Sequence, residues 1–138
     1  MEKQRYAYSF LDEYKQHIKP AIGAIDVFLR TAIYPLNAAD VACVLDIDAA
    51  DVAAIAADIG YSSIDKAAFF AIMARGTSRI CALFSREAAC GSPPTYNAAQ
   101  IAYIYNLDFE LVENACERMG IKEVSTFTMP LVFSQIPY

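Results

Sequence analysis

Tryptophan is missing from this chain, histidine occurs once, as His17, and glycine only five times. One imidazole leaves no H-E-x-x-H zinc helix, and five scattered glycines make neither a phosphate-cradling loop nor a G-x-S-x-G elbow. The four cysteines, Cys43, Cys81, Cys90 and Cys116, include no C-x-x-C pair and sit among alanine, valine and leucine, so free thiols are expected in place of a metal site. The longest apolar run, Ala67 to Ala74, is eight residues, against about 20 for a membrane-spanning helix. Charges at Glu2, Lys3 and Arg5 recur to Lys19 and leave no apolar stretch of the signal-peptide kind, which places the chain in the cytoplasm.

What is abundant is alanine, 24 of 138 residues, within an apolar fraction of 57%. Alanine is the best helix former and only mildly hydrophobic. An all-α protein of about seven to eight helices is therefore expected, as a single compact domain over residues 1–138 with an internal repeat. A chain of this length buries roughly 68% of its unfolded surface and needs no staple.

The repeat has a period of sixty residues. Asn37-Ala38-Ala39-Asp40-Val41-Ala42 falls on Asn97-Ala98-Ala99-Gln100-Ile101-Ala102, then Val44 on Ile104, Ile47 on Leu107, Asp48 on Asp108, Val52 on Val112 and Gly60 on Gly120. In each copy asparagine is a good N-cap, and Asp46 or Asn106 tolerates a left-handed turn. A second helix then runs from about 49 to 59 or 109 to 119, and glycine stands where it ends. The alanine at 42 or 102, the turn residue four later, and the apolar residues Val41, Leu45, Ile47, Val52 and Ile55 form a spaced set. It recurs in the second copy through Ile101, Tyr105, Leu107, Val112 and Ala115. This set resembles the helix-turn-helix motif of tri-helical units, with cores at 37–60 and 97–120 inside units of about 20–74 and 79–134. The resemblance implies two helices locked by apolar contacts across the turn.

Further helices are expected around these cores. Tyr6, Phe10, Leu11 and Tyr14 mark one from about Arg5 to Ile18, and Pro20 suits the first turn of the next. Ser62 with Asp65 reads as a capping box opening a long helix. Its apolar seam of Phe69, Met73, Ile80 and Leu83 keeps phase through Gly76, so one continuous helix to about Cys90 is expected. Gly91 to Thr95 is a loop, and the nearly uncharged tail, residues 124–138, demands burial within its own chain or against another.

The helix-turn-helix is best known for reading DNA, and the residues that would face the groove oppose that role. Residues 37–60 carry five acids and no base, and 97–120 carry four acids and Arg118. Helices of that charge repel phosphate. The outward positions are Asp48, Ala49, Ala50, Ala53, Ala54 and Ala57 in one copy, and Asp108, Phe109, Glu110, Glu113, Asn114 and Glu117 in the other. Asp46 to Asp51 lacks the sixth-position glycine of a calcium loop. His17 stands between Lys15 and Lys19 with no nucleophile pattern nearby, which reads as a solvated surface histidine.

The sequence thus predicts a non-catalytic protein-interaction or regulatory module with no cofactor and no metal. The candidate partner-binding residues are Asp108, Phe109, Glu110, Glu113, Glu117, Phe133 and Tyr138, with homodimerisation through the tail as one route of association. The alternative is a transcription regulator that meets DNA through Arg75, Arg79 and Arg86, which share one side of a continuous helix and would bind anions there.

Overall fold

The computed structural model describes residues 6–138, so Arg5, where the first helix was expected to begin, lies outside the described residues. Phe10 to Thr31 is one unbroken helical stretch: α1 (Phe10–Glu13), a π-helical turn (Tyr14–Ile18) and α2 (Lys19–Thr31). Ser9 opens it through a capping box with Asp12, which fixes the start four residues later than the pattern Tyr6-Phe10-Tyr14 suggests. The expected break before Pro20 does not occur. Pro20 has no N–H for the carbonyl four residues back, and the chain widens one turn ahead of it, with the Lys19 amide donating to the Tyr14 carbonyl five residues back.

The remaining helices are α3 (Ala38–Leu45), α4 (Ala49–Ile59), α5 (Lys66–Arg75), α6 (Arg79–Ala89), α7 (Ala98–Tyr105), α8 (Phe109–Met119) and α9 (Met129–Phe133). Isolated bridges aside, no strand occurs among the described residues, and the fold is all-α.

The α3–α4 and α7–α8 pairs are built by the same local devices. The Asn37 side chain accepts from the Ala39 amide at 2.7 Å, and Asn97 makes a reciprocal capping box with Gln100. Asp46 and Asn106 both adopt the left-handed conformation, at φ of 57° and 55°. That turn aims the Ile47 amide at the Ala42 carbonyl (3.0 Å) and the Leu107 amide at the Ala102 carbonyl (2.9 Å), satisfying carbonyls the ending helix leaves free. Gly60 and Gly120, again left-handed, close α4 and α8, with Tyr61 donating to Ala56 and Ile121 to Cys116. Each pair is then clasped at its ends: the Leu36 amide reaches the Ile64 carbonyl at 2.7 Å, and Tyr96 and Val124 exchange amide and carbonyl at 2.9 and 2.7 Å.

The clasp corrects the expected capping box at Ser62. Ile64 is held extended by its bridge, so the next helix cannot start until Asp65, whose carboxylate accepts from the Ala68 amide at 2.8 Å. The helix that follows is not continuous. α5 ends at Arg75, Gly76 is extended, and α6 departs at 99°. Apolar phase survives the glycine because Phe69 and Met73 of α5 and Ile80 of α6 reach one core. What breaks the helix is a bond remote in sequence, from the Ser78 hydroxyl to the Leu45 carbonyl at 2.6 Å, while the same hydroxyl accepts from the Cys81 amide.

The chain divides into two compact units, Pro20–Ser85 and the chain up to Lys19 together with Arg86–Tyr138. The first has its core in Ile25, Val41, Leu45, Val52, Phe69 and Ile72, with Phe28 packed against Phe69. In the second, Ile101, Ile104, Val112 and Val124 are fully or almost fully buried, as are Phe10, Phe133 and Ile136. The tail is core in its own chain: Phe133 is edge-on to Phe10 at 4.8 Å and to Tyr105 at 5.0 Å, and the Phe10 amide donates to the Ile136 carbonyl.

Tyr105 sits in that aromatic cluster with its hydroxyl against the Met129 sulfur at 3.5 Å. Burial, with smaller contributions from Tyr14, Glu87 and Tyr96, pushes its phenol far above the ordinary 10.0. The folded state thus holds this proton after the unfolded chain has released it, so stability is intact below about pH 10 and falls as pH rises beyond. Tyr14 and Tyr96 shift the same way. Denaturant midpoints are expected to fall above about pH 10 in the wild type and to fall less steeply in Tyr105→Phe; parallel slopes would show that Tyr105 ionises equally in the folded and unfolded states, with its phenol not raised by the fold.

Candidate functional site

The sequence placed its candidate surface on α8, where Asp108, Phe109, Glu110, Glu113 and Glu117 are exposed. Asp108 is the N-cap, its carboxylate accepting from the Glu110 amide at 2.8 Å. Val112, Ala115 and Cys116 turn inward, which leaves Glu110, Glu113, Asn114 and Glu117 on one exposed stripe. At 100° per residue Phe109 projects beside Glu113, 46% exposed. Among the described residues none of the three glutamates has an ion-pair partner. The one base of α8, Arg118, is drawn elsewhere, donating to the Tyr6 hydroxyl and the Gln135 carbonyl. Like charges three and four residues apart destabilise a helix by about 0.2–0.5 kcal/mol per pair, and an acid in the last turn opposes the helix dipole. Glu117 does both.

Phe133, expected on the same surface, is 0% exposed and leaves the candidate set: its ring fills the aromatic core. Tyr138 is exposed in part, yet it packs against Phe10 at 5.3 Å, and its amide donates to the Tyr8 carbonyl. The sequence left Tyr103 open between core edge and surface anchor, and it gave no sign that Phe127 is exposed. Tyr103 on α7 is 52% exposed, three residues before the turn that leads into Phe109, and Phe127 is 92% exposed.

The arginine stripe does not form. Its geometry needed a continuous helix, and the bend at Gly76 puts Arg75 and Arg79 on different helices. Arg75 forms an ion pair with Asp58, and the Arg86 Nε donates to the Ile104 carbonyl at 2.8 Å, closing the end of α7. With Arg75 and Arg79 on different helices, the single helix side on which the three arginines were expected to bind anions or meet DNA is absent.

In the first unit the acids of the α3–α4 turn border a cleft of about 430 Å³ lined by Cys43, Asp46, Asp48, Asp51, Thr77 and Ser78. Among the described residues no group of three or more His, Cys, Asp or Glu is placed to hold a metal ion. All four cysteines are free, and burial raises the thiols of Cys81 and Cys116 above their usual range. His17 is exposed as expected, and its Nδ1 lies 2.8 Å from the carboxylate of Glu13. Glu13 is itself buried and also accepts from the Tyr8 hydroxyl, a pairing the sequence does not advertise. No single helix among the described residues is long and apolar enough to cross a membrane.

Comparison of the chain with protein-family models, curated proteins and solved structures returns no match. The functional reading therefore rests on the surface itself.

Proposed function

We propose that this protein is a non-catalytic interaction or regulatory module that uses a helix-turn-helix-like scaffold, present twice with a sixty-residue offset, to display the second helix of each copy to a protein partner. The observation that carries the reading is the exposed, unneutralised acid stripe of α8. It disfavours nucleic acid, because acids at the position of a recognition helix add repulsion where affinity normally comes from phosphate neutralisation. The paired left-handed turns and matching backbone bonds of α3–α4 and α7–α8 support the shared scaffold. Four free thiols suit the reducing cytoplasm, where we place the protein.

The test is capture by the tagged full-length chain from an extract of its own host, run beside Glu110→Gln/Glu113→Gln/Glu117→Gln and beside a gel shift with random duplex. A set of proteins held by the wild type and lost from the triple variant is the expected result. A duplex shift at ~50 mM salt, where phosphate contacts are strongest, overturns the reading in favour of nucleic acid. Equal capture by wild type and variant removes α8 as the surface.

A further inference from the structure

The two helix pairs provide an internal control on which residues the scaffold needs. Every outward residue on α8 has a counterpart sixty positions earlier on α4, a helix of equal length with the same turn before it and a left-handed glycine after it. At the positions of Phe109, Glu110, Glu113 and Glu117, α4 carries Ala49, Ala50, Ala53 and Ala57, all exposed. A helix of this length, turn and cap therefore forms with alanine at all four positions. The aromatic ring and three acids of α8 are surplus to folding, and the acids are placed against the interests of an isolated helix. Exposed aromatics flanked by uncompensated charge of one sign are the two ingredients of a docking surface: a ring to be desolvated and a field to select its partner.

We infer that the exposed face of α8, with Phe109 as its apolar anchor and Glu110, Glu113 and Glu117 as the charged border, binds a basic amphipathic helical segment of a partner protein. The inference rests on the interaction reading above and adds the partner's chemistry. Charge complementarity selects the occupant. Glu110, Glu113 and Glu117 repeat at helical spacing over two turns, so a partner helix lying along α8 meets all three only if lysines or arginines recur on it at three- and four-residue intervals. An apolar face beside that basic stripe is needed to cover Phe109. Phosphate-bearing partners are repelled by the same charges, and a second copy of the stripe repels itself.

The probe is a labelled 18-residue helical peptide with lysine on one face and leucine on the other, titrated with the full-length protein by fluorescence anisotropy. Binding that weakens with salt is expected, with Glu113→Gln/Glu117→Gln and Phe109→Ser each reducing affinity about tenfold. Asp26→Asn/Asp40→Asn, which removes the same number of charges from exposed positions of the other unit away from α4, is expected to change it less than about twofold. Circular dichroism establishes that each variant is folded, and alanine at the equivalent positions of α4 indicates that it is. No binding of the probe, or equal weakening by the control, overturns the assignment of a basic helix to α8, as does an unaffected Phe109→Ser. If the triple glutamine variant loses captured proteins while the wild type ignores the probe, the partner chemistry is wrong and the interaction reading stands.

Discussion

Phe133→Ala is expected to lower stability by about 3–5 kcal/mol, the range for truncating a fully buried phenylalanine in a core that cannot collapse around the gap. Its surroundings give little room for relaxation. Phe10 meets the ring edge-on at 4.8 Å, Tyr105 at 5.0 Å and Tyr14 at 5.3 Å, so three aromatic contacts are lost together. Aromatic pairs contribute roughly 0.5–1.5 kcal/mol each beyond area burial, which argues for the upper half of the range. Equilibrium denaturation in urea measures the loss, and amide exchange locates it in α7, α8 and the segment after Gly120. A loss below about 1 kcal/mol would mean that the ring is not core, and the tail would return as a candidate surface for association.

The second large effect is expected at Gly76. Its φ of −64° suits any residue, so backbone strain is not the issue. A Cβ built there meets the Cys81 sulfur at 2.5 Å and the Cys81 Cβ at 3.0 Å, closer than packed atoms approach. Cys81 is fully buried and cannot swing aside. Gly76→Ala is expected to destabilise by about 1–3 kcal/mol, as overpacking does. The diagnostic is the double variant Gly76→Ala/Cys81→Ala. Removing the sulfur creates the space the new methyl needs, so the pair should be less destabilising than the sum of its members. Additive losses would show that the bend tolerates a side chain at Gly76 without pressing on Cys81.

Gly76 also marks where sequence reasoning reaches its limit. Local signals specified what local chemistry determines: the asparagine caps at 37 and 97, the left-handed Asp46 and Asn106, the glycines that stop α4 and α8, and the outward faces of those helices. Each depends on atoms within about six residues. The bend after Arg75 depends on a hydroxyl at 78 finding a carbonyl at 45, and the apolar rhythm on either side gives no hint of it because both helices face one core. Pro20 misleads differently: its missing donor suggests a helix start, yet a widened turn absorbs the defect and the helix runs on. The tail shows the plainest ambiguity. Phe127, between Thr126 and Thr128, and Phe133, after Leu131 and Val132, both stand in a tail with almost no charge, and one is 92% exposed while the other is fully buried. A five-residue helix is too short for periodicity to tell them apart.

On the candidate surface the exposure of the charged residues and of Phe109 was legible in the sequence, and that of the α7 tyrosines was not. Glutamates seven residues apart on an otherwise amphipathic helix have nowhere to point but outward, so Glu110, Glu113 and Glu117 are legible. An aromatic residue is ambiguous by nature: Tyr103 and Tyr105 lie two apart on α7, and only the fold decides that the first meets solvent and the second the core.

The clasps at the ends of the helix pairs have a consequence for how such a chain is assembled and altered. Leu36 and Ile64 are joined by one backbone hydrogen bond of 2.7 Å, and Tyr96 and Val124 by two, so each intervening segment enters and leaves its unit at a single doorway. A segment with one doorway can be lengthened, exchanged or copied without displacing the chain on either side, since the distance between its ends does not change. Grafting 36–64 or 96–124 into an exposed turn of a host thus needs no linker to span a gap, only an apolar face for the side that otherwise packs on the rest of the unit.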